Sequence, residues 1–173
     1  ERHGFADDVP VLMKGGGTFR WEPGEWTDDT AQLLAIAQAA SDGHDLCTAA
    51  GEDAVAAYFQ EWYLSSARLK DIGIHSSAVF GAVSTLPSAG LAERFRIEAA
   101  DKEHRHPGTS GGNGALMRTG VVGLVALDDP VKTADAAGRV AALTHAHELC
   151  VESCVLWAEA VRVAVVDGRL DVR

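Results

Sequence analysis

The spacing of apolar residues is helical along almost the whole chain. Leu33, Ile36, Ala37 and Ala40 recur at i, i+3, i+4 and i+7, which predicts a helix with one buried stripe starting just after Thr27. Val55, Phe59 and Trp62 repeat at i, i+4 and i+7 and predict a second helix over 52–65 with its aromatics in the core. A third is expected over 75–86, stopped by Pro87. A fourth, over about 89–102, carries Leu91 and Phe95 and exposes Glu93, Arg94, Arg96 and Glu98. Residues 102–106 read as a solvated loop, and the Gly/Ser stretch 107–114 as a hinge or ligand loop. From 115 to 127 the chain is almost uncharged apart from Arg118, which predicts a central helix buried on most sides. Two helices follow, over 131–143 and 147–167. The last carries Val151, Val155, Ala158, Val161 and Val165 as its stripe and Gly168 as its C-cap. No alternating β-branched run demands a sheet, and there is no internal repeat or long polar linker, so the expectation is an all-α single domain.

Against that helical background, Thr27-Asp28-Asp29-Thr30 places two carboxylates and two hydroxyls at the first helix start. One reading is an N-cap with acidic residues complementing the helix dipole. The other is a divalent-cation site, since hard oxygen ligands suit Mg²⁺ and the preceding glycines, Gly15 to Gly17 and Gly24, let the backbone fold closely round a ligand. Asn113-Gly114 and Thr144-His145 also read as helix starts, where free backbone N–H groups favour anionic oxygen. Asp128-Asp129, before Pro130, reads as a solvated turn.

The net charge of −10, from 15 basic and 25 acidic side chains, argues against general nucleic-acid binding. A diphosphate ligand remains compatible with it, because metal ions and helix N-termini supply positive potential locally. No apolar run is long enough for a membrane span and residues 1–8 lack signal-peptide character, so a cytoplasmic location is expected. Cys47, Cys150 and Cys154 are odd in number and read as small buried residues rather than a disulfide framework. His145, His147 and Cys150, at i, i+2 and i+5, do not project from one helix face as zinc ligands would. No Walker or Gly-x-Ser-x-Gly motif is present.

The stretch GGGTFRWEPGEWTDDTAQLLAIAQ resembles the N-terminal signature of the ADP-ribosylglycohydrolase family. Three segments extend the likeness in the family's order: Tyr63-Leu64-Ser65-Ser66 with Asp71-Ile72-Gly73, then Gly112-Asn113-Gly114-Ala115-Leu116-Met117-Arg118, then Thr144-His145. The resemblance implies a compact orthogonal multi-helix bundle. The family's Gly-Asp-x-x-Gly helix and its acidic Gly-Asp-x-Asp-Thr helix do not occur in these 173 residues, so a core fragment or a reduced member is expected.

What the resemblance implies for function is metal-dependent hydrolysis of the bond joining ADP-ribose to a modified side chain or a related ADP-ribosyl linkage. Thr27, Asp28 and Asp29 would hold part of a dinuclear Mg²⁺ site, with Mn²⁺ as the alternative, and Asp28 or Asp29, with Glu1, would supply the catalytic carboxylate. Asp71 and Gly73 would line the distal ribose, and Gly112, Asn113, Gly114, Ala115 and Met117 the diphosphate. His145 is either a hydrogen-bond donor to the ligand or a packed imidazole. The partner would be an ADP-ribosylated protein or small ADP-ribosyl substrate, with self-association or a complementing segment as a further expectation. The competing expectation is a binding or scaffold protein that keeps the cleft without hydrolysis.

Overall fold

Helix α1 (Asp28–Ser41) begins where the Thr-Asp-Asp segment places it. The computed structural model describes residues 13–65, 71–108 and 111–168, and these are all-α. They contain no strand, only an isolated antiparallel bridge joining Gly16 and Trp21 in the lead-in to α1. Glu1, Ser66 and the tail from Arg169 to Arg173 lie outside the described residues.

The buried face of α1 differs from the expected stripe: Gln32, Ala35, Ile36 and Ala39 face the interior, while Leu33, Ala37 and Ala40 are only half-buried. Apolar residues occupy most positions of α1, so periodicity alone does not choose between adjacent faces. Tertiary pairing of the Gln32 amide with Arg118 decides the rotation.

Helices α2 (Ala49–Ser65), α3 (Ile74–Val83) and α4 (Leu91–Arg105) enclose the aromatic part of the core. Phe80 is its centre, with ring centroids 5.7 Å from Phe59, 5.5 Å from Trp62, 5.6 Å from Tyr63 and 5.4 Å from Phe95. Phe59, Trp62 and Phe95 meet it edge-on and Tyr63 stacks on it, contacts that add to plain area burial. Residues 102–105, expected as loop, form the last turn of α4. Lys102, His104 and Arg105 there suit the negative end of the helix dipole, and Arg105 lies 3.6 Å from Glu98.

The expected helix over 115–127 is instead a short α5 (Leu116–Thr119) that tightens into a 3₁₀ turn over Gly120–Leu124. Its glycines admit the last helix, α7 (Glu148–Asp167): a Cβ at Gly123 would lie 2.3 Å from the Ala158 carbonyl oxygen. Close approach of the two backbones therefore requires glycine there. Helix α6 (Pro130–Ala142) is capped by Asp129, which accepts from the Lys132 N–H at 2.9 Å. Thus Asp129 is a helix cap rather than part of a solvated turn.

Helix α7 (Glu148–Asp167) ends at left-handed Gly168 as expected. It packs on α6 and the 3₁₀ turn through Cys150, Cys154 and Ala158, whereas Val165 is exposed. All three cysteines are free thiols, and Cys150 and Cys154 are buried beside Ala115 and Ala141. Among the described residues no helix is long and apolar enough to cross a membrane.

Candidate functional site

The start of α1 forms one wall of a cleft of about 350 Å³. Thr27 occupies the N-cap position, but its hydroxyl caps no backbone N–H. It donates instead to Asp29 Oδ2 at 2.8 Å, so the capping alternative gives way to a side-chain cluster. Asp28, in the first helical turn, is half-buried. Burial, and then the negative charges of Asp29 and Asp71, push its carboxyl up to about 6. Three carboxylates from two separate segments therefore line the cleft.

The rest of the lining comes from the start of α3, the loop before α5 and the α6–α7 turn. Gly73 is the N-cap of α3, and Ile74, His75 and Ser76 in its first turn line the cleft beside it. The free N–H groups of that turn offer the cleft a positive helix end. Gly112, Asn113, Gly114 and Met117 contribute from the loop and α5. A Cβ at Gly114 would sit 3.1 Å from Ser76 Oγ and 3.2 Å from His145 Nε2, so glycine keeps that corner uncovered. On the far side of the same loop a second recess of about 310 Å³ adjoins at Gly112 and Asn113 and reaches His147.

Behind this lining lies a buried polar network. Arg118 is fully enclosed, and its Nη1 donates to Gln32 Oε1 and its Nη2 to Thr144 Oγ1, each at 2.6 Å. The guanidinium carbon is 4.5 Å from the centre of the Phe59 ring. Burial pushes Arg118 down to about 10, so it remains a cation at neutral pH. Thr144 Oγ1 is 2.7 Å from His145 Nδ1, and the Thr144 carbonyl accepts from His75 Nε2 at 2.7 Å. The His75 and His145 rings lie 4.7 Å apart. Burial, followed by the charge of Arg118 and the proximity of His75, pushes His145 down to about 3 and keeps its imidazole neutral.

The fold thus brings Asp28, Asp29, Asp71, Gly73, Gly112, Asn113, Gly114, Met117 and His145 to one cleft. Ala115 points away from it into the packing around Cys150 and Cys154. Thr144 and His145 are not at a helix start but in the turn after α6, since α7 begins at Glu148 with His147 as N-cap. His75 and Ser76 line the cleft without having been singled out in the sequence. The signal for the network behind it was Arg118 itself, a lone cation in an apolar run, which needs buried acceptors.

A shallower groove of about 420 Å³ lies elsewhere, over Glu52, Arg96, Asp135 and Arg139. Its charges neutralise one another, with Arg96 2.7 Å from Glu52 and Arg139 2.9 Å from Asp135. Surplus charge and open backbone N–H groups are found in the first cleft only, of the two. Among the comparisons with known proteins, the family model described as ADP-ribosylglycohydrolase matches residues 2–173. No curated protein and no solved structure matches the chain.

Proposed function

This chain belongs to the ADP-ribosylglycohydrolase family, and from that premise we propose that the carboxylate cleft hydrolyses the glycosidic bond between ADP-ribose and a modified side chain. The observation that carries the proposal is the convergence of Asp28, Asp29 and Asp71 with the α3 N-terminus and the Gly112–Gly114 loop on one cleft. The carboxylates suit ribose hydroxyls and an attacking water. The Gly112–Gly114 loop suits a diphosphate, with backbone that a ligand can approach closely.

The residues fit a divalent cation by the chemistry of their donors. Burial first, and then the charges of Asp29 and Asp71, raise Asp28 to about 6; a bound cation would relieve the repulsive part, and the Thr27, Asp28 and Asp29 oxygens are hard ligands of the kind Mg²⁺ or Mn²⁺ takes. Among the described residues no group of three His, Cys, Asp or Glu side chains is placed to hold a metal ion, so water or substrate oxygens would have to supply most of its ligands. When bound, such an ion would orient ribose hydroxyls and polarise water.

The chain's own residues supply the rest. Asp28, ionised above about pH 6, accepts a proton from the attacking water, and the Thr27 hydroxyl holds Asp29 beside it. Asp71 and Gly73 bound the ribose end, and His145, neutral and buried, serves as a hydrogen-bonding wall rather than an acid. The substrate is an ADP-ribosylated protein or small ADP-ribosyl compound.

The test is release of free ADP-ribose from ADP-ribosyl-arginine by this chain with Mg²⁺, with EDTA, and in the Asp28→Asn/Asp29→Asn variant. Metal-dependent release that disappears in the variant is expected. Binding of ADP-ribose with no release by the wild-type chain would instead identify a binding protein built on the same cleft.

A further inference from the structure

Thr144 touches both cleft histidines, and hydrogen-bond accounting assigns their protons. A backbone carbonyl only accepts, so His75 Nε2, 2.7 Å from the Thr144 oxygen, carries a hydrogen. In the neutral ring Nδ1 is then a lone-pair acceptor, and it has no hydrogen-bond partner among the described residues. The Thr144 hydroxyl is fully buried and already accepts from Arg118 Nη2 at 2.6 Å. Its own hydrogen needs an acceptor, and His145 Nδ1 at 2.7 Å is the one in reach. Nδ1 of His145 is therefore unprotonated and its hydrogen sits on Nε2, the nitrogen left uncovered by Gly114.

We infer that Thr144 is a tautomer clamp on the cleft, its carbonyl fixing His75 and its hydroxyl, oriented by buried Arg118, fixing His145. The cleft consequently presents an acceptor, His75 Nδ1, beside a donor, His145 Nε2–H. Thr144 and Arg118 are positioning residues, acting through the imidazoles rather than on the ligand. A donor next to an acceptor suits sugar hydroxyls, which do both, over a phosphate oxygen, which only accepts. The identity of the ligand rests on the ADP-ribose proposal above; the tautomers do not.

Long-range ¹H–¹⁵N correlation spectra of the ¹⁵N-labelled full chain read the tautomers directly, with His75→Gln and His145→Gln giving the assignments. Both rings are expected as Nε2–H. Thr144→Val removes the hydroxyl but keeps the carbonyl, so it should release the His145 tautomer, leave that of His75 unchanged, and weaken ADP-ribose binding roughly tenfold, the loss of one buried hydrogen bond. Thr144→Ser should restore both properties, and Arg118→Met should disturb His145 alone. A wild-type His145 protonated on Nδ1, or a His145 signal indifferent to Thr144→Val, overturns the clamp, and the wild-type spectrum suffices if a variant fails to fold. On adding ADP-ribose both nitrogen signals should move; movement at His145 alone overturns the hydroxyl assignment. Correct tautomers in a chain that does not bind ADP-ribose would leave the clamp standing and sink the functional proposal instead.

Discussion

Glu52 and Asp28 each sit in the first turn of a helix, where the dipole favours a carboxylate, yet the fold gives them opposite company. Glu52 is 2% exposed and lies 2.7 Å from Arg96 and 3.6 Å from Arg139, two cations brought from α4 and α6. Asp28 is half-buried and faces Asp29 and Asp71, two further carboxylates. Neutralisation locks three helices together at the first. At the second the negative charge is left over, and it is left over in the cleft. Unrelieved repulsion does nothing for stability, so the contrast separates a structural anion from one kept for a ligand.

The largest effect expected from this contrast is on turnover. Asp28→Asn/Asp29→Asn should lower ADP-ribose release by about 10³-fold or more, roughly 4 kcal/mol of transition-state stabilisation. Glu52→Gln, assayed where the protein is folded, should change it little. An equal loss in both would erase the distinction. Next comes stability: Arg96→Ala strips the nearer cation from a buried carboxylate and should cost about 3 kcal/mol in a denaturant melt.

Neutralising Asp28 should act in the opposite direction. Its folded value of about 6 lies above the ordinary 3.8, so the folded state holds the proton more tightly. The stability this contributes is complete below about pH 4 and lost as the pH rises through 6. In metal-free protein Asp28→Asn should therefore raise stability at pH 7, by about 1 kcal/mol or less once solvent screening is discounted, and change nothing at pH 4. Destabilisation at pH 7 would place Asp28 with Glu52 after all. The smallest effect is a modest rise in Tm on adding Mg²⁺ at pH 7 that shrinks at pH 5, where a proton competes for Asp28, and is absent in the double variant.

Local chemistry was readable along the chain wherever neighbours in sequence decide it. Thr27-Asp28-Asp29 announces a helix start because the dipole favours carboxylates within the first turn, and Gly168 closes α7 because a left-handed C-cap is likewise set within one turn. Phe59 and Trp62 were readable as core because one aromatic face of a polar-backed helix has nowhere else to go. Where a segment is apolar on every side, as in α1, the pattern gave the helix but not its rotation, and Gln32 went inward unannounced. The 115–127 segment failed as a single helix because the constraint comes from outside it, in the backbone of α7 pressing on Gly123.

By itself, then, the sequence determined the helical periods, the all-α class and the family, because each is set by residues within a few positions of one another or by motifs whose order survives unfolded. The tertiary structure decided which faces turn inward, which anions find cations, and that a threonine after α6 meets an arginine from α5 and a histidine from α3. Those contacts join residues 26 and 69 positions apart. Hydrogen bonds and charges act over a few ångströms, and only the folded chain brings such residues that close.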